Sequence, residues 1–453
     1  MPLPPDTRTE LLVETLHGVE IADSYRWLED QDAPETRAWI DQQNAYTDSV
    51  LTGLPGREAL ESVVARVLQV DAISLPNERD GRYFHSKRRA DQDLSVVYVR
   101  EGVEAEDRVL IDPHPMSPDH TVSVSLLDIS QDGRLVVYGV RAGGVDEVSI
   151  RLRDVDTGAD LPDDFPAARY GQVNLTPDKT GFYYERYGDV APRVMYHAIG
   201  TDPGTDVQLF GDGYGLQHIP VTLLSDDGRW LLVHVIEGSS GPTEIHIKDL
   251  ASDAPFVAVI QDGVTESWAE FAGDQLVITT NLDAPNKRVV VADPANPAVE
   301  EWTEIIAERR DVVIQDVRGL GGRLAVSFLQ DVQPRAAIYE LSGAHVRDIA
   351  FDTIGAVGGG AGRWTSDEAF FTFQSYHRPT TIYRYDLATG DQTVWAQVEV
   401  PIDTDRYTVT QTWFESKDGT RVPMFVTHRD DVVLDGENPT LLTGYGGFNL
   451  SMT

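Results

Sequence analysis

The chain has 453 residues, 41% of them hydrophobic and 25% charged, with 37 Lys plus Arg against 74 Asp plus Glu for a formal charge of −37. That length exceeds one ordinary domain, and so acidic a chain repels phosphate backbones and anionic lipid surfaces, so neither nucleic acid nor membrane is an expected partner. Cysteine is absent, which excludes disulfides and thiolate metal sites and suits a reducing compartment.

The acidity has two readings, a solvated surface that aids solubility or a field that steers basic ligands. The N-terminus, Met1-Pro-Leu-Pro-Pro-Asp6, carries no basic region followed by an apolar run, and no later segment offers about 18 uninterrupted apolar residues. A soluble, cytoplasmic protein is expected.

Residues 1–70 read as helical. Pro34 suits the first position of a helix carrying Trp39, Ile40, Tyr46 and Val50, with Glu35 near its positive end. A second helix starts at Pro55, and Leu60, Val63, Val64, Val67 and Leu68 form one stripe at i, i+3, i+4, i+7 and i+8, to be set against a neighbour. The Trp27 phrase reads as a core anchor near a helix start.

From residue 71 to about 403 the pattern changes to short β segments rich in Val, Ile, Tyr and Thr. One phrase, a polar Asp/Gly turn followed by an apolar strand, recurs there. It begins at Asp80, Asp132, Asp178, Asp227, Gly273, Gly321 and Asp367, at steps of 52, 46, 49, 46, 48 and 46 residues. Each step accommodates one four-stranded antiparallel sheet with its turns, and seven such sheets set radially make a seven-bladed β-propeller. Tandem β-sandwiches are the alternative, but they give no reason for one phrase at near-constant spacing.

Within this region Asp154-Val-Asp156-Thr-Gly158 and Asp226-Asp-Gly228 read as blade turns, because they lack the spaced oxygen ligands and closing Glu of a calcium loop. Acidic pairs such as Asp163-Asp164 are expected by chance among 74 acidic residues. Gly358-Gly-Gly360 reads as a flexible turn, since no Lys follows to make a phosphate cradle. Eleven histidines form no His-Glu-x-x-His phrase, so no metal site is expected.

After residue 403 a new sheet opens. Thr408–Phe414 alternates as a strand, Ser416–Thr420 turns, and Arg421–Thr427 returns as its hairpin partner. Thr440-Leu-Leu442 reads as a more buried strand running into the Gly-rich turn Gly444-Tyr-Gly-Gly-Phe-Asn449. Two or three strands do not make a stable sheet alone.

Three phrases in order carry a family resemblance: Asp23-Ser-Tyr-Arg-Trp-Leu-Glu-Asp30 with Glu35-Thr36, Trp39 and Gln43-Asn44; the hairpin Ser416-Lys-Asp-Gly-Thr-Arg-Val-Pro-Met424; and Gly444–Asn449. Together, bracketing the propeller repeats, they resemble the prolyl oligopeptidase family of serine peptidases over the whole chain. The resemblance implies an α/β-hydrolase domain built from both chain ends with the propeller inserted. The expected fold is therefore mainly β, with an N-terminal helical segment of the peptidase domain (1–70), a seven-bladed propeller (71–403) and the first strands of an incomplete α/β-hydrolase domain (404–453).

The family nucleophile is a Ser on a Gly-x-Ser-x-Gly turn, followed by Asp and His. No serine here has glycine at both −2 and +2, and the nearest phrase, Gly238-Ser-Ser-Gly241, reads as a blade turn. The expectation is a chain cut before its catalytic core and inactive alone. By the resemblance Tyr445 supplies a hydroxyl that stabilises the tetrahedral oxyanion, and Phe448 lines the substrate pocket. The bland alternative is that both merely pack a Gly-rich turn. The resemblance further implies cleavage of short peptides after proline, no cofactor, and a propeller that filters substrates by size. The missing catalytic segment is a further expected partner. A non-catalytic propeller module that binds peptides or a protein is the competing function.

Overall fold

The computed structural model describes residues 3–163, 165, 168–169, 172–186, 191–238, 241–447 and 450–453, and the chain divides into two compact units, Met1–Gln69 and Val70–Thr453. Among the described residues, no helix is long and apolar enough to cross a membrane.

The first unit is not helical throughout. Leu12–Leu16 and Val19–Asp23 pair antiparallel, joined at His17 and Gly18, whose φ of 53° and 81° are what a two-residue hairpin turn demands. The helices follow as α1 (Pro34–Thr52), with Pro34 in its first turn, and α2 (Arg57–Leu68). Trp27 is an anchor, as its phrase suggested. Its ring meets Trp39 edge-on with centroids 6.5 Å apart, the Arg8 guanidinium lies 4.7 Å over it, and its indole N–H donates to the Arg8 carbonyl. The α2 stripe differs from expectation, because Leu60, Val63, Val64, Val67 and Leu68 are all exposed.

In the second unit seven antiparallel sheets follow one another in sequence, at 72–111, 122–169, 173–210, 218–260, 267–306, 312–349 and 356–397, here blades 1 to 7. Each recurring phrase is the turn between the first and second strands of its blade's main run; in blade 1 Ala72–Ile73 is an additional strand on Arg82–Arg88. The chemistry of that turn is local and repeated. In blades 2, 3 and 4 a Ser or Thr hydroxyl donates to the Asp two residues on, Ser130 to Asp132 at 2.7 Å, Thr176 to Asp178 at 2.6 Å and Ser225 to Asp227 at 2.6 Å. The same hydroxyl oxygen accepts from the backbone where the next strand starts, as Leu135 N–H does on Ser130.

Alternation along each strand leaves both faces of a blade apolar, and every face is covered by a neighbour. Phe84 and Val99 of blade 1 pack on Val136 and Tyr138 of blade 2; Ile150 and Leu152 on Phe182 and Tyr184 of blade 3; Tyr183 and Val194 on Leu231 and Val233 of blade 4. Leu232 and Ile247 meet Leu276 and Ile278 of blade 5, Val277 and Val289 meet Leu324 and Val326 of blade 6, and Ile338 meets Phe371 of blade 7. The seventh interface returns to the start. Tyr83 packs edge-on against Phe370 at 6.0 Å, its hydroxyl donates to Glu368 at 2.9 Å, and the Arg100 guanidinium lies over Trp395. Among the described residues no strand is shared there, and side chains make the closure. The fold is a seven-bladed β-propeller.

Blade 7 corrects one reading. Gly358-Gly-Gly360 is not a turn but the middle of its first strand, Ala356–Gly362, with a bulge between Gly358 and Ala361. Glycine is favoured because Gly359 has φ +64°, and a Cβ there would also displace the Leu75 Cδ1 of blade 1, 2.5 Å away.

After blade 7, Tyr407–Glu415 and Arg421–Arg429 form the expected hairpin. It touches the second-to-third-strand turns of blades 6 and 7. The Gln333 amide donates to Gln411, Tyr376 faces Phe425 at 5.8 Å, and Arg378 pairs with Asp405 at 2.7 Å. The run Thr440–Leu442, read as a buried strand, has no strand partner and leaves Leu441 and Leu442 exposed. A strand needs a ladder, and the described residues offer it none.

Candidate functional site

Tyr445 is half exposed and lies outside the strands of the described residues; a Cβ on the flanking Gly444 or Gly446 would meet nothing within 4 Å. A Cβ on Gly447 would lie 3.4 Å from the Tyr445 hydroxyl, so the ring folds back over the turn that carries it. Phe448 lies outside the described residues, as do Ser239 and Ser240 of the Gly238–Gly241 phrase and Asp164 of the acidic pair.

A nucleophile, a base and an orienting carboxylate do not come together among the described residues. Ser375 and His377 approach at 3.1 Å, but they are two residues apart in a turn closed by mutual backbone bonds of Ser375 and Arg378. Burial and the Arg378 charge hold His377 below its ordinary value, and no carboxylate bonds its other nitrogen. A base without an orienting group on the far side of its ring lacks the constellation that activates a serine. The histidine best furnished with carboxylates is buried: His197 lies between Asp206 at 2.7 Å and Asp163 at 3.3 Å, with the Tyr184 hydroxyl donating to Asp206 at 2.6 Å. It holds blade 3 to the loop after blade 2's third strand and has no serine beside it.

The propeller axis carries polar side chains that sequence reading missed. Near the first turns the first strands contribute Arg79, Asp128, Asn174, Glu270 and Arg318 in blades 1, 2, 3, 5 and 6 and Asp226 follows that strand in blade 4, while blade 7 contributes glycines and then Arg363. Most of these groups staple one blade to the next. Asp128 accepts from Leu175 N–H at 2.7 Å, Asn174 donates to the Thr222 carbonyl at 3.2 Å, and Glu270 accepts from Gly319 N–H at 2.6 Å. Buried Glu185 does the same from blade 3, accepting from the Thr222 N–H at 3.1 Å and hydroxyl at 2.7 Å. Burial pushes the Asp128 carboxyl up to about 6, and those of Glu185 and Glu270 up to about 7. The available signal was their recurrence just upstream of a repeated turn.

Two cavities open along this axis. One of about 350 Å³ lies at the end bearing the first turns and is lined by Arg79, Asp128, Glu270, Arg318, Arg363 and Trp364 among others. The other, about 750 Å³, lies between blades 4, 5 and 6 toward the opposite end and reaches Trp268, Asn281, Arg318 and Ser451.

Comparison with known proteins places these features. Residues 4–398 match the model of the prolyl oligopeptidase N-terminal β-propeller domain. The chain is 30% identical to a prolyl endopeptidase of Elizabethkingia meningoseptica, over 99% of this chain and 64% of that protein. It is 27% identical to dipeptidyl aminopeptidase BI of Pseudoxanthomonas mexicana, over 99% of this chain and 66% of the relative. A solved structure from a study of two prolyl endopeptidases superposes with a TM-score of 0.93 at 35% identity, covering 99% of this chain and 68% of that one. The chain thus spans somewhat less than two thirds of the curated relatives it matches.

Proposed function

Because the chain belongs to the prolyl oligopeptidase family, we propose that it carries the propeller of a serine-type endopeptidase that hydrolyses short peptides on the carboxyl side of proline. The observation that supports this most is the family match running from residue 4 to residue 398, with the hairpin and the Tyr445 turn following in the family's order.

In this reading a Ser attacks the scissile carbonyl, His carries its proton to the leaving amine, and water resolves the acyl-enzyme. Ser, Asp and His come from outside these 453 residues, and the chain alone is inactive. Tyr445 donates its hydroxyl to the tetrahedral oxyanion, and Phe448 lines the pocket for the substrate. A half-exposed phenol on a glycine turn suits that role, because its hydroxyl is a hydrogen-bond donor that a developing oxyanion can accept from. The propeller, closed by seven apolar interfaces, admits short peptides and rejects folded proteins. Its cysteine-free composition suits the cytoplasm.

The test is turnover of a blocked Gly-Pro chromogenic amide, with Gly-Ala as control, by this chain and by the longest product of its gene. Cleavage after proline by the long product alone is expected. Turnover by the 453-residue chain, or no proline cleavage by either, overturns the reading. In the active form Tyr445→Phe should lower kcat about 10²-fold, with the melting temperature unchanged.

A further inference from the structure

The 350 Å³ cavity at the first-turn end of the propeller axis is electrically divided. Blades 6, 7 and 1, which are adjacent, contribute Arg318, Arg363 and Arg79; blades 2, 4 and 5 contribute Asp128, Asp226 and Glu270.

The two sides are not equally satisfied. Asp128 already accepts from the Ile129 and Leu175 N–H groups, each at 2.7 Å, and Glu270 from Gly319 N–H at 2.6 Å. Arg318 is spoken for by Asp316 at 2.9 Å and Glu270 at 3.4 Å. Arg79 donates one N–H to the Glu78 carbonyl at 2.8 Å. Beyond that, neither Arg79 nor Arg363 has a carboxylate within 4.0 Å among the described residues. Among the described residues other propeller arginines also bond carbonyls without an ion pair, as Arg108 does with Val155 and Arg347 with Ala388, but Arg79 and Arg363 line one cavity together. Others find carboxylate partners, as Arg82 does with Asp156, Arg153 with Asp160 and Arg384 with Glu368. Burial holds the Arg79 guanidinium below its ordinary value; the Asp128 charge across the cavity opposes this, and the nearby Arg363 charge adds to it. Guanidiniums that face a cavity with no carboxylate bonded to them keep N–H donors for an incoming planar anion.

We propose that this end of the channel binds a carboxylate, held by Arg79 and Arg363 with Arg318 as the flanking charge, and that the ligand is a short peptide's C-terminus or a small free carboxylic acid. A monoanion fits better than a phosphate dianion, because Asp128, Asp226 and Glu270 face the same space and repel in proportion to charge. The site lies at the opposite end of the blades from the hairpin, which touches second-to-third-strand turns. It does not depend on peptidase activity. Asp128 and Glu270 take up protons as pH falls through about 6 to 7 while the guanidiniums stay charged, so binding strengthens toward pH 6.

The test is calorimetric titration of the chain at pH 6 and pH 8 with acetyl-Gly-Pro acid, its amide, and acetate. The acid should bind at least about tenfold tighter than the amide, tighter at pH 6, and Arg363→Gln or Arg79→Gln should each weaken it about tenfold or more. Arg363→Lys should retain part of the affinity. Acetate binding as tightly as the peptide acid supports the site and makes its ligand a small free acid; a tighter peptide supports it and makes the ligand a C-terminus. Equal binding of acid and amide overturns the proposal. So does wild-type affinity in an Arg363→Gln variant whose melting curve is unchanged, which decides the matter even if Arg79→Gln does not fold.

Discussion

The blades and the stretch that follows them are built from similar residues and end differently. Leu231 and Leu232 of blade 4 are fully buried, whereas Leu441 and Leu442 stand almost wholly exposed. Both pairs are Leu-Leu dipeptides, so local composition does not separate them. The difference is what covers them: a blade has a neighbour on each face, while residues 439–447 have no strand beside them. Burial is thus a property of the repeat and not of the local sequence.

The sharpest way to break that comparison is to cut the same volume from each region. Leu232→Ala should cost about 3–5 kcal/mol, since the blade 4 to blade 5 interface cannot collapse without moving a whole sheet. Leu441→Ala should change stability by less than about 0.5 kcal/mol. Urea denaturation followed by tryptophan fluorescence reads both.

Two glycines sharpen it further. Gly343 in blade 6 and Gly436 after the hairpin have φ of +83° and +87°, so backbone strain alone treats them alike. A Cβ on Gly343 would stand 1.8 Å from the Ile305 carbonyl oxygen of blade 5, and one on Gly436 would meet nothing within 4 Å. Gly343→Ala should therefore cost about 2–3 kcal/mol and Gly436→Ala at most about 1, by the same measurement.

The polar staples give the propeller a pH dependence of its own. Glu185 and Glu270 are raised to about 7 and Asp128 to about 6, mainly by burial. Each holds its proton more tightly folded than unfolded, so the native state binds more protons above the ordinary carboxylate range. Stability from these groups is full below that range and is lost as pH rises toward about 7. At about 1.4 kcal/mol per unit, each contributes on the order of 1–3 kcal/mol between pH 5 and pH 8. The urea midpoint should fall over that window, and Glu270→Gln should flatten the fall. Surface carboxylates held low, such as Asp132 at about 2, titrate below the window.

The repeat was legible because its signal is local. A hydroxyl, an Asp two residues on and then a residue of positive φ (Gly133, Lys179 and Gly228) make a turn whatever surrounds them, so the phrase at Asp132, Asp178 and Asp227 marks the same strand boundary each time. The hairpin at 407–429 was legible for the same reason. What depends on distant chain was not. Gly358–Gly360 has turn composition, and only contact with Leu75 and the bulge place it in a strand. Thr440–Leu442 has strand composition and no partner. The Leu12–Asp23 hairpin was hidden by the helices after it, although His17-Gly18 between two alternating runs was a readable turn. Tyr445 was singled out by family resemblance alone, and the axis residues were missed, because their recurrence just upstream of the repeated turn reads as polar lining only when seven sheets close into a ring.

An effect smaller than any of the propeller changes is expected at the join between the two regions. Gln411 accepts from the Gln333 amide at 2.6 Å and donates to the Asp331 carbonyl, tying the hairpin to a turn where Asp331 and Val332 both hold positive φ. A β-branched residue in that conformation persists only where its surroundings hold it. Gln411→Ala removes the tie and should cost about 1 kcal/mol, too little to move the propeller's unfolding midpoint clearly. Amide exchange resolves it. Protection should fall in Tyr407–Glu415 and Arg421–Arg429, and in the turn at Asp331, while the strands of blade 4 exchange as before. Equal loss across both would mean that hairpin and propeller open as one cooperative unit, and the contrast between them would then lie in burial alone.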